Sequence, residues 1–576
     1  MKFRFDTRSV HFARIGAVAG AAMLLCMSVS AQTQARSMKP YWEFKKPKMI
    51  KIEGDLSYDT NGAQPPVRNN GSPYVLGFEG VTQYDGAAFG RNFIPPDTMG
   101  AVGASQYMQT SNGAYAVFDK YTGTRLSLTS DVAFWAAAGQ AGANGDSRVM
   151  YNASANRWVA VSFGADVKDL QIAVSDTSNA LGSWQSVKFE GYGGVGAGGA
   201  VADYPTLALD RNAVYIGTNN FAPSTPGGSA SFRGTTLNVI PLNSLFGAGA
   251  PTISNMKQFV TPYPGGADNG FALQGVNSRS AGTTGKVVAA SLFNYDNVAY
   301  KVNGLNPNDA TGSTTTASQS LGMAAYSSPQ PGRQPSVAIP ANRRVIDTLD
   351  ERISSSVYEA NGRIYMVNTV DDTADGQDFA RVRYTVVDAD TFQVLDQGNI
   401  GTGDFDYYQG SIAVNSFGQV AIGYNRSGLQ TTDLNSDGLM DGNVSFMGRT
   451  FETDASGKLV ASSDELLLKV SLTDDYHNGS LYGQPAAGRQ RWGDYSQVSI
   501  DPENEHNFYM IGQFAREYNL PEFGHPNGTG GSRWGTWVAM ITTPVPEPGT
   551  WAMMVLGLGV VGALAARRRR AQSEIA

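Results

Sequence analysis

Short runs of alternating apolar and polar residues, broken by Asn, Asp, Gly and Ser, recur along most of this chain. Period-two alternation predicts β-strands, and the polar breaks predict the turns between them. One unit returns: a polar residue, a short alternating strand, a turn, and a second strand rich in aromatic and aliphatic side chains. It is seen at 97–103 with 106–110, at 146–152 with 157–161, and at 203–210 with 213–219. A looser copy runs 271–277 with 286–291, followed by 353–359 with 363–368, 410–415 with 419–425, and 494–501 with 508–512. Segments such as Ala114–Lys120, Leu170–Ser175 and Arg383–Asp388 read as further strands outside these hairpins.

Seven copies spaced roughly 50 to 85 residues apart predict an all-β β-propeller, each copy forming the inner hairpin of one blade. Seven blades are favoured over six or eight. Closure explains why such a sheet is stable, because a ring of blades covers every face and leaves few free edges. The competing all-β reading is two sandwich domains split near residues 300–340, where 303–340 is rich in Ser, Thr, Pro and Gly and reads as an insertion or linker.

The chain's ends follow a different pattern. Lys2, Arg4, Arg8 and Arg14 precede the apolar stretch Ile15 to Val29, and small residues from Ala31 to Ala35 follow, as in a secretory signal peptide cut near Ala35. Residues 36–75, rich in Pro and Lys, read as an extended arm, and 76–543 as the propeller. Residues 544–576 hold Pro546-Glu547-Pro548, an uncharged run from Trp551 to Ala566, and the basic stop Arg567, Arg568, Arg569 and Arg570. Sixteen helical residues span about 24 Å, enough for a thin or locally thinned bilayer, with the arginines held on the cytoplasmic side. The competing reading is an ordinary single-span anchor. This ending resembles the PEP-CTERM signal of Gram-negative bacteria. The resemblance implies export, insertion in the inner membrane through the C-terminal helix, cleavage by an exosortase, and release to the cell surface or extracellular matrix. It also implies an association with exopolysaccharide and biofilm.

Composition sharpens this picture. The single cysteine, Cys26, lies in the signal peptide, so no disulfide can hold the exported body together. Glycine is frequent (67), and Tyr and Phe number 26 each, as expected of a β-rich, turn-rich chain. Removing residues 1–35 and 550–576 leaves 35 basic residues against 48 acidic, a net charge of −13 that argues against nucleic acid as a partner.

A second resemblance concerns the body. Pro95-Pro96-Asp97-Thr98, Asn112-Gly113, Phe118-Asp119-Lys120, Arg148 to Tyr151, Arg157-Trp158, Asp203-Tyr204-Pro205, Trp492 to Ser496, Asp501-Pro502 and Trp534 to Thr536 are similar to secreted bacterial sialidase-like propellers. That resemblance spans roughly 75–541 and implies a fold without a shared chemistry. Ser175 to Trp184 resembles the Asp-box turn of sialidases, with altered spacing; there it is a structural hairpin.

Candidate sites are few. Asp433, Asn435, Asp437, the Leu439 carbonyl and Asp441, with Gly438 at the sharp turn, suit a structural Ca²⁺ ion, although Val444 stands where a calcium hand has its bidentate glutamate. The competing reading is an Asx-rich turn that needs no ion. Asp97, Asp146, Asp203 and Asp494 begin inner strands, so in a propeller they meet at the channel mouth, there to bind a cation or sugar hydroxyls. The alternative, favoured here, is that each caps its own turn. No catalytic residue is assigned. His477, His506 and His525 are scattered, and no metalloprotease or nucleophile-elbow motif is present. Gly194-x-Gly196-x-x-Gly199 leads toward a strand rather than a helix, so it reads as a loop. Asp371, Asp372, Asp375 and Asp378, with Asp404 and Asp406, could supply a glycosidase pair only if the fold sets two of them across a cleft. Tyr407, Tyr408, Tyr482 and Trp492 could stack on sugars or pack between blades. The expected function is a non-enzymatic binding or structural module for exopolysaccharide or surface proteins; the alternative is a secreted glycosidase or lyase.

Overall fold

The computed structural model describes residues 64, 66–69 and 72–544, apart from 166, 195–200, 223–230, 338–343, 373–375, 377, 402, 478–488 and 524–529. The expected signal peptide, most of the expected N-terminal arm, and the tail with Pro546 to Pro548, its apolar run and its arginines lie outside the described residues.

The regular structure among the described residues is mostly antiparallel sheet, in meanders that follow sequence order. Met99–Val102, Gln106–Ser111, Ala114–Asp119 and Arg125–Ser130 make one sheet, and Arg148–Asn152, Arg157–Phe163, Asp169–Ser175 and Trp184–Glu190 the next. A five-stranded sheet covers Val201–Asp203 to Lys257–Pro262. A nine-stranded sheet then holds two meanders, one from Phe271–Ser278 to Gln319–Ser320 and one from Val357–Ala360 to Val394–Ile400. Their inner strands touch in parallel, with Val276 opposite Val357. Phe405–Val414 to Leu466–Val470 follow as a five-stranded sheet.

The closing sheet mixes the two ends of the body. Gln497–Ile500, Asn507–Ala515 and Trp534–Thr542 pair in order, and Tyr74–Thr82 adds to the outer side, with Phe78 opposite Val538. The first strand of the body thus completes the last sheet, and the innermost strand 497–500 touches both 405–414 and 99–102. The sheets come full circle, which excludes two separate sandwiches. The architecture is propeller-like.

The core confirms this arrangement, because each large apolar cluster lies between successive meanders. Met108, Trp158 and Trp184 join the first two sheets, Val161, Leu207 and Ile216 the second and third, and Phe446, Met510 and Trp537 the last two. Truncating a fully buried Trp or Phe in such a seam costs about 3–5 kcal/mol. The segment after Asn303 is no linker. Thr314–Thr315 and Gln319–Ser320 pair with Asn297–Asn303, and Ser327 and Gly332 then bridge to Asp371 and Ile346.

Strand direction fixes two ends of the ring. Inner strands start at one end, where Asp97 and Asp494 stand, and run to hairpins such as 103–105 and 501–506 at the other. Trp534–Thr542 runs in the same sense as the inner strand 497–500, so Thr542 finishes beside Asn507 at the end opposite the aspartates.

Candidate functional site: a buried aspartate–arginine cluster

A residue with positive φ precedes the inner strand or lies within it in five meanders: Asp97 (43°), Asp146 (51°), Tyr204 (56°), Ala272 (54°) and Gln409 (52°). They stand five or six residues before the ends of their inner strands, at Val102, Asn152, Leu209, Ser278 and Val414. Left-handed backbone is cheap for Asp and strained for Tyr, Ala or Gln, so the surrounding sheet holds these turns in place. Asp203 and Asp494 sit one position earlier, and Tyr204 and Tyr495 occupy the register of Asp97 and Asp146.

The four aspartates do converge. The carboxylate of Asp97 accepts from the Asp494 backbone N–H (2.7 Å) and from the Asn112 side chain (2.8 Å), so it ties neighbouring sheets together rather than capping its own turn. Asn112 also accepts from the Asp146 N–H at 3.0 Å. Half-buried Asp146 feels the charges of Asp97, Asp203, Arg148 and Arg491. Burial, aggravated by these carboxylate neighbours, pushes Asp146 well above the usual range. Burial also raises Asp97, against the pull of Arg491, and takes Asp203 to about 7 against the pull of Arg352. Asp494 is likewise raised to about 7 by burial, but Arg491 lies 2.7 Å from its Oδ1 and opposes that shift. Asp203 is therefore the better reporter of the cluster's proton affinity.

Three arginines that the hairpin motif did not single out complete the cluster. Arg148, fully buried, donates to the carbonyls of Pro205 (3.0 Å) and Ser354 (3.3 Å) and stacks 3.7 Å from the centre of the Tyr495 ring. Arg352 makes a fork of two 2.7 Å bonds with Asp350 and lies 4.6 Å from the Tyr204 ring centre. The Tyr204 hydroxyl reaches the carbonyls of Ser354 and Asp494. Three buried polar atoms here have no hydrogen-bond partner: Arg148 Nη2, Asp203 Oδ2 and the Tyr495 hydroxyl. Buried polar atoms are nearly always satisfied, so these three mark a place where a water or a polar ligand fits.

Other candidates resolve differently. Asp433 accepts from the N–H groups of Asp437 (3.1 Å) and Gly438 (2.9 Å), Asp437 from that of Leu439 (2.9 Å), and Asp441 from Thr432 and Leu434. The loop is exposed and supports itself through its own backbone, at the aspartate end of the ring. Among the described residues, no group of three or more His, Cys, Asp or Glu is placed to hold a metal ion. Asp406 is buried in a fork with Arg333 (2.8 and 2.9 Å), and Asp372 lies beside Arg383 and Asn399, so neither faces an open cleft as a free acid. Asp375 lies outside the described residues. Tyr407, Tyr408 and Trp492 are buried between sheets and unavailable for stacking on a ligand, while Tyr482 and His525 are not described. Of the glycine-rich 194–199 segment, 195–199 lie outside the described residues; the next described element is strand Val201–Asp203. An open groove of about 530 Å³, lined by Arg68, Tyr74 and Glu465 among others, lies on the outer edge of the ring, away from the cluster.

Residues 544–570 match the PEP-CTERM protein-sorting motif. This match covers Pro546, Glu547, Pro548 and the arginines to Arg570, and it marks the class: an exported protein carrying a membrane-anchored sorting signal for processing by an exosortase. No curated protein matches the chain. Among solved structures, hydrazine synthase of Kuenenia stuttgartiensis aligns at 9% identity, covering 78% of this chain and 97% of that one, with a TM-score of 0.37. An α-L-arabinofuranosidase of Lactobacillus brevis aligns at 14% identity over 55% of this chain and 92% of its own, TM-score 0.29. An α-L-arabinanase of Penicillium chrysogenum, complexed with arabinobiose, aligns at 10% over 64% and 94%, TM-score 0.31. Likenesses this distant say nothing of what the chain acts on.

Proposed function

We propose that the chain is an exosortase-sorted surface or extracellular-matrix protein whose body is a non-enzymatic binding module associated with exopolysaccharide. The sorting motif beginning two residues after strand Trp534–Thr542 is the observation that carries this reading. Counting the nine-stranded sheet as two blades, the body is a seven-bladed propeller. While the tail is in the membrane, the aspartate–arginine cluster lies at the far end of the ring and faces outward, toward matrix polymers or other surface proteins. A hydrolase reading is supported less well, because Asp97 is occupied by hydrogen bonds and Asp494 by an ion pair with Arg491. Affinity electrophoresis in gels containing neutral or acidic polysaccharide tests the proposal. Retardation of the wild type is expected, lost on Asp146→Asn, with no release of reducing ends. Turnover of polysaccharide or aryl glycosides, abolished by the same change, would establish the hydrolase instead.

Calcium at Asp433, Asn435, Asp437, Leu439 and Asp441 is proposed as a structural ion for this long loop. Adding Ca²⁺ to chelator-treated protein should then raise the melting temperature by a few degrees; an unchanged melting curve, with no heat of binding, rejects the site.

A further inference from the structure

The sorting motif begins almost without a tether. Thr543 is buried, its N–H donating to the His506 carbonyl (2.9 Å) and its hydroxyl to Gln419 Oε1 (2.7 Å). Gln419 Nε2 in turn donates to the Pro544 carbonyl at 2.7 Å, so the chain is fastened to the body through residue 544. Only Val545 separates Pro544 from Pro546. Two residues of extended chain reach about 7 Å. Recognition of an extended peptide by a partner engages main chain and alternate side chains over several residues. An enzyme reading Pro546-Glu547-Pro548 therefore meets the folded body as well as the peptide.

The surface at that exit is rigid and apolar at its tip. Phe417 is 57% exposed, and its ring stacks on the His506 imidazole at 4.7 Å and 8°. Asn415 Oδ1 accepts from the N–H groups of Phe417 (3.0 Å) and Gln419 (2.9 Å), while its Nδ2 donates to the Glu505 carbonyl at 3.0 Å. The Ser416 N–H donates to Glu505 Oε2 at 2.9 Å, and Arg279 pairs with the same carboxylate. A preorganised hairpin presenting one exposed aromatic is the form that interface anchors take.

We infer that this exit face, with Phe417 stacked on His506 and Gln419 holding Pro544, is a docking surface for the membrane-embedded sorting enzyme. The inference rests on the reading that the tail is processed at its Pro-Glu-Pro motif. The acidic charge of the body disfavours an anionic lipid surface as the occupant.

The test follows conversion of the full-length protein in its exporting cells by pulse-chase immunoblot. Phe417→Asp should slow cleavage about tenfold, with uncut chain accumulating in the membrane fraction and the melting temperature of the folded body unchanged. Inserting about ten residues of Gly and Ser after Pro544 in that variant should restore conversion, because a long flexible tether removes the forced contact. Cleavage of Phe417→Asp at the wild-type rate, or no rescue by the spacer, overturns the proposal. Loss of the variant from the membrane before cleavage means that the face meets lipid, and overturns it too. Replacing Pro546, Glu547 and Pro548 with alanines should leave the chain uncut. If that variant is still converted, the processing reading itself fails, an outcome separate from any result at Phe417.

Discussion

Lys120→Ala will lower the unfolding free energy by about 3–5 kcal/mol, the loss typical when one partner of a buried ion pair is removed. Lys120 Nζ lies 2.7 Å from Asp501 Oδ1, and the two side chains are 0% and 3% exposed. The ammonium also donates to the Gly103 carbonyl at 3.1 Å, and the Tyr509 hydroxyl donates to the Lys120 carbonyl at 2.9 Å. These contacts fasten the sheet that opens the ring to the sheet that closes it, across a sequence separation of 381 residues. In a body without cysteine, they stand where a disulfide would. Truncating Lys120 strands the Asp501 charge away from water with only the Glu503 N–H to answer it. The urea midpoint should fall accordingly, with an unchanged slope. Pairing Lys120→Met with Asp501→Leu should recover most of the loss, because no charge is then left buried. The exposed pair Lys188–Asp169, at 3.0 Å, is the control, and Lys188→Ala should change stability by about 0–1 kcal/mol. Equal midpoints for Lys120→Ala and Lys188→Ala would show that the staple contributes nothing.

The inner hairpins were legible because each carries an alternating strand on either side of a turn rich in Asn, Asp and Gly. The closing strand Tyr74–Thr82 was harder to see. Nearly all of it is buried, on both faces, so period-two alternation is blurred. Its glycines answer close packing: a Cβ on Gly77 would meet the Tyr74 hydroxyl and Trp537, and one on Gly80 would meet Gln109 and Thr536. In the fifth hairpin the inner strand starts at Val357, later than the Ile353 that the pattern proposed, because Ser354, Ser355 and Ser356 are buried without joining the ladder. Local sequence sees the turn and the alternation, but not which neighbour covers a given face.

The cluster was half legible for a related reason. Asp97, Asp146, Asp203 and Asp494 stood out by their shared place before an inner strand, and they do meet. Their roles differ, however: Asp97 and Asp146 hold left-handed turns, whereas Asp203 and Asp494 precede that position. The same turn at Tyr204, Ala272 and Gln409 leaves no mark in residue type, since sheet contacts impose it against local preference. Arg352 and Arg491 escaped, and Arg148 entered only as part of a family resemblance, because each stands at a different offset from its motif. A charged residue at a strand position otherwise filled by Met or Thr, as Arg148 is beside Met99 and Thr206, was the available signal. Tyr407, Tyr408 and Trp492 looked available to a sugar only while the adjoining sheets were unknown.

The charge trapped in this cluster has a measurable consequence. Asp203 is buried, its Oδ2 lacks a partner, and its carboxyl is raised to about 7 by burial and by Asp97, against the opposing pull of Arg352 and Arg491. Between the unfolded value near 3.9 and about 7, the folded protein binds this proton more tightly than the unfolded chain does. The sign follows directly: stability contributed by the neutral carboxyl is present at low pH and is lost as pH rises through the folded value. Asp203→Asn keeps an oxygen to accept from the Tyr204 N–H but never ionises. The variant should therefore match the wild type near pH 4 and become more stable as pH rises, by about 2–4 kcal/mol at pH 8. Comparing the two proteins at each pH cancels groups with the opposite trend, such as Asp475 and Glu505, whose carboxyls are held below their usual range by His477 and Ser416. Parallel stability curves for variant and wild type from pH 4 to 8 would show that Asp203 carries no strained charge, and that its unpartnered oxygen is answered by bound water.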